Sequence, residues 1–456
     1  MSSGILTGYN VHTEEDRNQM LASMGKSTIS DLFTEVPDHL RLKTPLNLPP
    51  AMSEWELERH LRALASKNAT TLDHLSFLGG GAYEHYVPAT VDAIASRGEF
   101  LTAYTPYQPE MAQGILRFLY DFQSVVGKLL GLPAVNCSVY DCATALAESA
   151  WMTCRITGNH RLAIAEGLWP EYRKVLEVYL KGRAVELITI PSDPKTGQID
   201  EGALESILSE QKPGAVIHQT PNRSGVVERM SRIGELCKAN DSLHVVASYP
   251  MLFGLMKNPG DCGVDIAVSE GQSLGLQLNA GGPYLGIIAT REEYEMHLPG
   301  RIVGQCSDLK GEEALALVKE EREQHVARHE ATSHICSNQA NLALRALIYL
   351  CTVGEHGFQR IAELCTRKAH YLQSKLCELD GVKPVVSGPF FNEFLIELPR
   401  PASEVLNALR EKQIFGGIPY NQLLEDAPEN QLLIAVTETK SKADLDQAIK
   451  AFASSL

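Results

Sequence analysis

The chain has 456 residues, 44% of them hydrophobic, and a net charge of −15. That length exceeds a single hydrophobic core, so two or three packed units are expected. The acidity excludes nucleic acid and anionic membrane surfaces as partners, because either polyanion would be repelled.

Residues 1–70 read as an arm. "TEEDRNQMLASMG" is a helix closed by Gly25, and "ISDLFTEVP" is a short helix ended at Pro37. "RLKTPLNLPPAM" is extended, and "SEWELERHLRALASKN" has Ser53 as its cap with Glu56 three residues on. Leu32, Phe33, Val36, Leu46 and Leu48 would stay partly exposed on a lone chain, so the arm is expected to lie across a partner subunit. From 71 to 325, β-branched runs alternate with helices: "RLAIAEGLWPEYRKVLEVYLKGR", "AVELITIP", "EGALESILSEQ", "GAVIHQTPN", "ERMSRIGELCKAN", "SLHVVASY", "VDIAVSE", "YLGIIATR". This predicts an α/β domain whose mostly parallel sheet is covered on both faces. Residues 326–456 predict a smaller α/β unit. Arm, large domain and small domain together fit the aspartate-aminotransferase-like fold (fold type I) of pyridoxal-phosphate enzymes, one of several doubly wound folds open at this point.

The start shows no basic region followed by an apolar run, and the most apolar helix, "NLALRALIYLCTV", carries Arg345 and is too short to span a bilayer. A cytoplasmic protein is expected. The ten cysteines form no C-x-x-C and are expected to be reduced, mostly buried thiols; Cys137 and Cys142 flank a loop.

"AYTPYQPEMAQG" raises the first functional question. Pro106 and Pro109 rule out a helix or central strand, leaving a stiff loop that carries Tyr104, Thr105, Tyr107, Gln108 and Glu110. "GGGAY" is not a dinucleotide fingerprint, since Glu84 stands where glycine is needed, and it predicts a flexible turn. "HVARHEATSH" places His325 and His329 on one helical face without completing H-E-x-x-H, so no metal is expected there. "VYDCATALAESAW" opens a helix on small residues, where free N–H groups and Thr144 are placed to hold an anion; an ordinary capped helix is the alternative. In the fold considered above, the cofactor lysine lies between the last sheet strands. No lysine occurs between Lys257 and Lys310, and Ala247, Ser248 and Tyr249 stand where an aspartate would face the pyridine nitrogen.

"GGGAYEHYVP", "TAYTPYQPEMAQG", "EGQSLGLQLNAGGPYLG" and "ATSHICSNQANLALRALIYL", in this order, resemble glycine dehydrogenase (decarboxylating), the P-protein of the glycine cleavage system, in its subunit 1 form. The resemblance covers nearly the whole chain. It implies fold type I and a hetero-oligomer in which subunit 2 carries lysine-bound pyridoxal phosphate. It also implies decarboxylation of glycine and transfer of the aminomethyl group to a lipoyl carrier protein. Tyr104 and Thr105 are expected to reach the shared active site. Tyr107, Gln108 and Glu110 are expected to shape its entry or brace the loop. A scaffolding or regulatory subunit is the alternative, and a self-sufficient enzyme using Lys257 or Lys310 is a third possibility opposed by the missing lysine. "RHEATSHICSNQA" and "NRSGVVE" depart from the family pattern, and no role is assigned to 328–334.

Overall fold

The computed structural model describes residues 11–335 and 339–456, and the chain divides at Ala69/Thr70 into two units. In the first, α1 (Glu14–Ser23) starts on a Thr13–Asp16 capping box and is followed by Gly25 at φ +67°. α2 (Glu54–Ala65) starts on the Ser53–Glu56 box read from the sequence. Each box satisfies N–H groups that helix geometry leaves unpaired. α2 buries none of its residues.

The second unit opens with a two-residue strand, Leu75–Ser76, paired with Ile414–Phe415; its first long helices are α3 (Ala89–Ala95) and α4 (Gln113–Leu130), the latter closed by Gly131 at φ +68°. Then follow β1 (Ala134–Val135), α5 (Cys142–Thr157), β2 (Arg161–Ala165), α6 (Pro170–Leu180), β3 (Glu186–Ile190), β4 (Ala215–Thr220), α7 (Met230–Ala239), β5 (Leu243–Ser248), β6 (Ile266–Glu270) and β7 (Gly286–Thr290). The seven-stranded sheet has the order β1-β7-β6-β5-β4-β2-β3. β3, β2, β4, β5 and β6 run parallel, while β7 and β1 pair antiparallel. β4 and β6 are buried along their whole length, as strands covered on both faces must be.

An antiparallel hairpin follows, β8 (Ile302–Ser307) with β9 (Glu313–Val318), which the sequence reading did not contain. Residues His325 and His329 do not share a helical face: the helix Gln324–Ala327 stops at Arg328, whose φ is +54°. α8 (Ala340–Leu376) breaks at Gly354, φ +62°. β10 (Glu393–Glu397), α9 (Ala402–Arg410), β11 (Gln431–Ala435) and α10 (Lys442–Ala453) complete the chain. β10 and β11 pair antiparallel at the centre of a four-stranded sheet. No described helix is long and apolar enough to cross a membrane.

Candidate functional site

In open α/β sheets, ligands bind beyond the carboxyl ends of the strands, where the strand order reverses. Here β2 is flanked by β3 and β4, and the carboxyl ends of β4, β5 and β6 meet the start of α5. A cavity of about 20 Å³ lies there, lined by Tyr83, Cys142, Trp169, Tyr172, Gln219, Tyr249 and Glu270 among others. That is room for roughly one water molecule. Glu270, at the end of β6, is 7% exposed. One of its carboxyl oxygens accepts from the Cys142 N–H at 3.0 Å; the other accepts from Gln272 at 3.1 Å and Leu285 at 3.0 Å. Burial pushes its carboxyl group up to about 8, against the pull of those N–H groups. The Asp141 side chain takes the Thr144 N–H at 2.7 Å. The first turn of α5 therefore meets two carboxyl groups of its own chain.

The "GGGAYEHYVP" segment closes over this place, and it is anchored rather than flexible. A Cβ on Gly79 would stand 2.0 Å from Glu393 Oε1 and 2.6 Å from Ala435 Cβ. Glu393 accepts from the Gly80 N–H at 2.8 Å and the Tyr83 hydroxyl at 3.0 Å. Gln272 exchanges hydrogen bonds with the Tyr83 backbone in both directions, at 2.9 and 3.0 Å. His85 joins Glu438 at 2.7 Å and pairs with Tyr249. The motif thus stitches the strand ends to the C-terminal segment. Its partners, Gln272, Glu393 and Glu438, were missed in the sequence, where nothing local pairs a residue with one up to 353 positions away.

Glu393 gives the first prediction. Burial pushes its carboxyl up to about 7 from an ordinary 4.5. The folded chain then holds this proton after the unfolded chain has released it, so stability falls as pH rises from 4.5 towards 7. Glu393→Gln keeps the acceptor for Gly80 and removes the titration. Urea unfolding at pH 5 and pH 8 is expected to show the variant gaining on the wild type with rising pH, by on the order of 3 kcal/mol at most. Parallel pH profiles would rule this out.

The 103–108 stretch is irregular, and Pro109–Met111 is a single 3-10 turn. Pro106 is buried, and the Tyr107 N–H folds back on the Thr105 carbonyl at 2.9 Å. The Tyr107 hydroxyl accepts from Arg301 at 3.0 Å, and its ring meets His325 edge-on. Gln113 fixes the far end by donating to the carbonyls of Pro109 and Leu315, both at 2.8 Å. Tyr104 and Thr105 line a pocket of about 140 Å³ with Leu119, Arg301, Ala340 and Asn341. Tyr104 is 72% exposed. Gln108 and Glu110 are exposed beside them. Thr144 is not brought to this pocket: it is buried on α5, with its N–H held by the Asp141 side chain. Cys137 and Cys142 are free, buried thiols, and burial raises both, Cys137 to about 12.

A family profile described as the glycine cleavage system P-protein matches residues 8–452. The chain belongs to this family. It is 42% identical to a probable glycine dehydrogenase (decarboxylating) subunit 1 of Chlorobaculum parvum, over 97% of this chain and 99% of that protein. It is 43% identical to the protein so described in Moorella thermoacetica, over 96% and 97%. A crystal structure of glycine decarboxylase (P-protein) in inhibitor-bound form superposes with a TM-score of 0.89 at 38% identity, covering 98% of this chain and all of that one. A sphingosine-1-phosphate lyase of Burkholderia pseudomallei, TM-score 0.65 at 12% identity and covering 90% and 92%, shares the fold alone. The architecture is the fold-type-I α/β fold read from the sequence.

Pyridoxal phosphate is the cofactor expected of the P-protein family, and the strand-end site of this chain does not fit it. The space holds about one water. Four aromatic side chains, Tyr83, Trp169, Tyr172 and Tyr249, wall it. Glu270 fills the start of α5, where a phosphate would need free N–H groups.

Proposed function

We propose that this chain is the cofactor-free subunit of a glycine decarboxylase. It works with a subunit 2 that carries lysine-bound pyridoxal phosphate, and the pair decarboxylates glycine and passes the aminomethyl group to a lipoyl carrier protein. The observation that carries this is the filled strand-end site in a chain that is otherwise a full-length family member. The lysine-free span between Lys257 and Lys310 supports it, because no amine is available in the turn after β6.

This chain's own contribution is positional. The 104–110 loop presents Tyr104 and Thr105 as hydroxyl donors to the partner's pocket. Tyr107 braces the loop on Arg301, and Gln108 and Glu110 shape its outer edge. Thr144, bonded inside α5, supports the fold beneath and touches no ligand. The arm supplies the contact with subunit 2: Leu46 and Leu48 are 64% and 70% exposed, and Trp55 on α2 is 67% exposed, an apolar run that suits a protein surface. Division into an arm over 1–70, a large domain over 71–325 and a small domain over 326–456 accompanies this proposal.

The test is to purify the chain alone and with subunit 2. Alone, it is expected to show no absorbance that borohydride fixes covalently and no exchange of CO2 into glycine. Together the pair shows both, and removal of residues 1–50 from this chain loses co-purification. A borohydride-fixed chromophore on the isolated chain would overturn the assignment of the cofactor to subunit 2.

A further inference from the structure

We propose that His85, Cys365 and Glu438 form a binding site for a divalent transition-metal cation of the zinc class. The three come from distant parts of the chain: the anchored "YEHYVP" segment, the middle of α8, and the segment after β11. Their ligating atoms all lie within 4.8 Å of one another. His85 is 8% exposed and Cys365 fully buried. Imidazole, thiolate and carboxylate together are a donor set that suits zinc and cobalt and disfavours magnesium or calcium.

The two donor distances to Glu438 are close to those around a tetrahedral ion, and His85 and Cys365 would close onto it from within 4.8 Å of one another. Tetrahedral zinc, with bonds of roughly 2.0 Å to nitrogen and oxygen and 2.3 Å to sulfur, sets oxygen and sulfur donors about 3.5 Å apart and nitrogen and oxygen about 3.3 Å apart. Cys365 Sγ stands 3.5 Å from Glu438 Oε2. His85 Nδ1 and Glu438 Oε2 are 2.7 Å apart, a hydrogen bond that opens by about 0.6 Å when a cation replaces the shared proton.

The surroundings hold each donor in place. His85 Nε2 pairs with the Tyr249 hydroxyl, which fixes the ring and leaves Nδ1 towards the site. Glu438 Oε1 accepts from the Tyr86 N–H at 2.8 Å, leaving Oε2 for the cation. Tyr349 is fully buried, and its hydroxyl has no hydrogen-bond partner. Burial first, and then the charges of Glu438 and Cys365, push it up. A buried hydroxyl without a partner is costly, and in the proposed site a water on the cation's open position is its partner.

Charge and protons balance without redox chemistry. The cation displaces two protons, the Cys365 thiol proton and the one shared by His85 Nδ1 and Glu438 Oε2, and both leave to solvent; His85 is then neutral with its proton on Nε2. Two negative donors then neutralise two positive charges. Lys368 donates to the Glu438 carbonyl, and its ammonium opposes the cation. Affinity is therefore below that of an all-thiolate site. The bound ion would tie the "YEHYVP" segment, α8 and the C-terminal segment together.

The test is to load the full-length chain with Co2+ and record its absorption. The expected result is one cobalt per chain with a thiolate-to-cobalt charge-transfer band that Zn2+ displaces. Cys365→Ser abolishes the band, whereas the double variant Cys306→Ser, Cys351→Ser, which removes two exposed thiols, leaves it unchanged. Tyr349→Phe lowers cobalt affinity about ten- to a hundred-fold. X-ray absorption on the wild-type complex is expected to show a single sulfur among nitrogen and oxygen neighbours, a readout that stands even if Cys365→Ser does not fold. Absence of the band, a band that survives Cys365→Ser, or a sulfur-free shell overturns the site.

Discussion

Replacing Tyr104 by phenylalanine, or Thr105 by valine, is expected to lower glycine decarboxylation by the assembled enzyme roughly ten- to a hundred-fold while leaving assembly intact. Each change removes a hydroxyl and keeps the shape. A lost hydrogen bond to a charged group costs about 1.5–3 kcal/mol, which sets that range. The expectation rests on the loop's build. Tyr104 and Thr105 sit at the mouth of a pocket of about 140 Å³. The backbone beneath them is held by buried Pro106, by Tyr107 on Arg301, and by Gln113 on Leu315. A rigid platform that carries an exposed Tyr104 and a half-buried Thr105 suits a group that must reach a neighbour's reacting centre. The measurement is glycine–CO2 exchange by each variant with subunit 2, alongside sedimentation of the mixture. Full rates in an intact assembly would favour the scaffolding alternative, in which this chain only shapes its partner.

Gly225→Ala is expected to abolish folding or to destabilise the chain by about 4 kcal/mol or more, the range reserved for severe backbone conflict. Gly225 has φ +79°, and a Cβ there would stand 2.0 Å from the Glu393 carbonyl oxygen and 2.6 Å from its carbon. Both atoms belong to the backbone of β10, so no rotamer change relieves the clash. The turn around it is fixed: Asn222, 2% exposed, accepts from Ser224 and Val226 and donates to Gly197 and Glu228. This gives a physical reason for the polarity of "NRSGVVE". Soluble yield and chemical unfolding of Gly225→Ala, against Ser224→Ala as a mild neighbour that loses one bond to Tyr420, test the point. A Gly225→Ala chain as stable as the wild type would show that β10 moves freely past this turn.

The sequence by itself determined what is local. Capping boxes at Thr13–Asp16 and Ser53–Glu56 involve residues three apart. Gly131 closes α4 because glycine enters the left-handed region without steric cost. The runs that became β4 and β6 declared themselves through residues 215–217 and 266–268, because a strand buried on both faces reads as a near-continuous apolar run; the buried His218, Gln219 and Glu270 towards their carboxyl ends break that pattern. Pro106 and Pro109 likewise announced an irregular loop, since proline removes a donor and fixes φ.

What the tertiary structure decided is everything that joins distant segments. Tyr107 meets Arg301 across 194 positions, Gln113 meets Leu315 across 202, and Gly80 meets Glu393 across 313. "GGGAY" looked like a free turn because glycines permit one; the Glu393 carboxyl and Ala435, pressed against it, make it an anchored crossing. Thr144 looked like part of an anion cradle because small residues open its helix. Asp141 and Glu270 already occupy those N–H groups, and only one of the two is a sequence neighbour. A side chain's partners are set by which surfaces the fold brings together, and burial makes those polar contacts obligatory once it has done so.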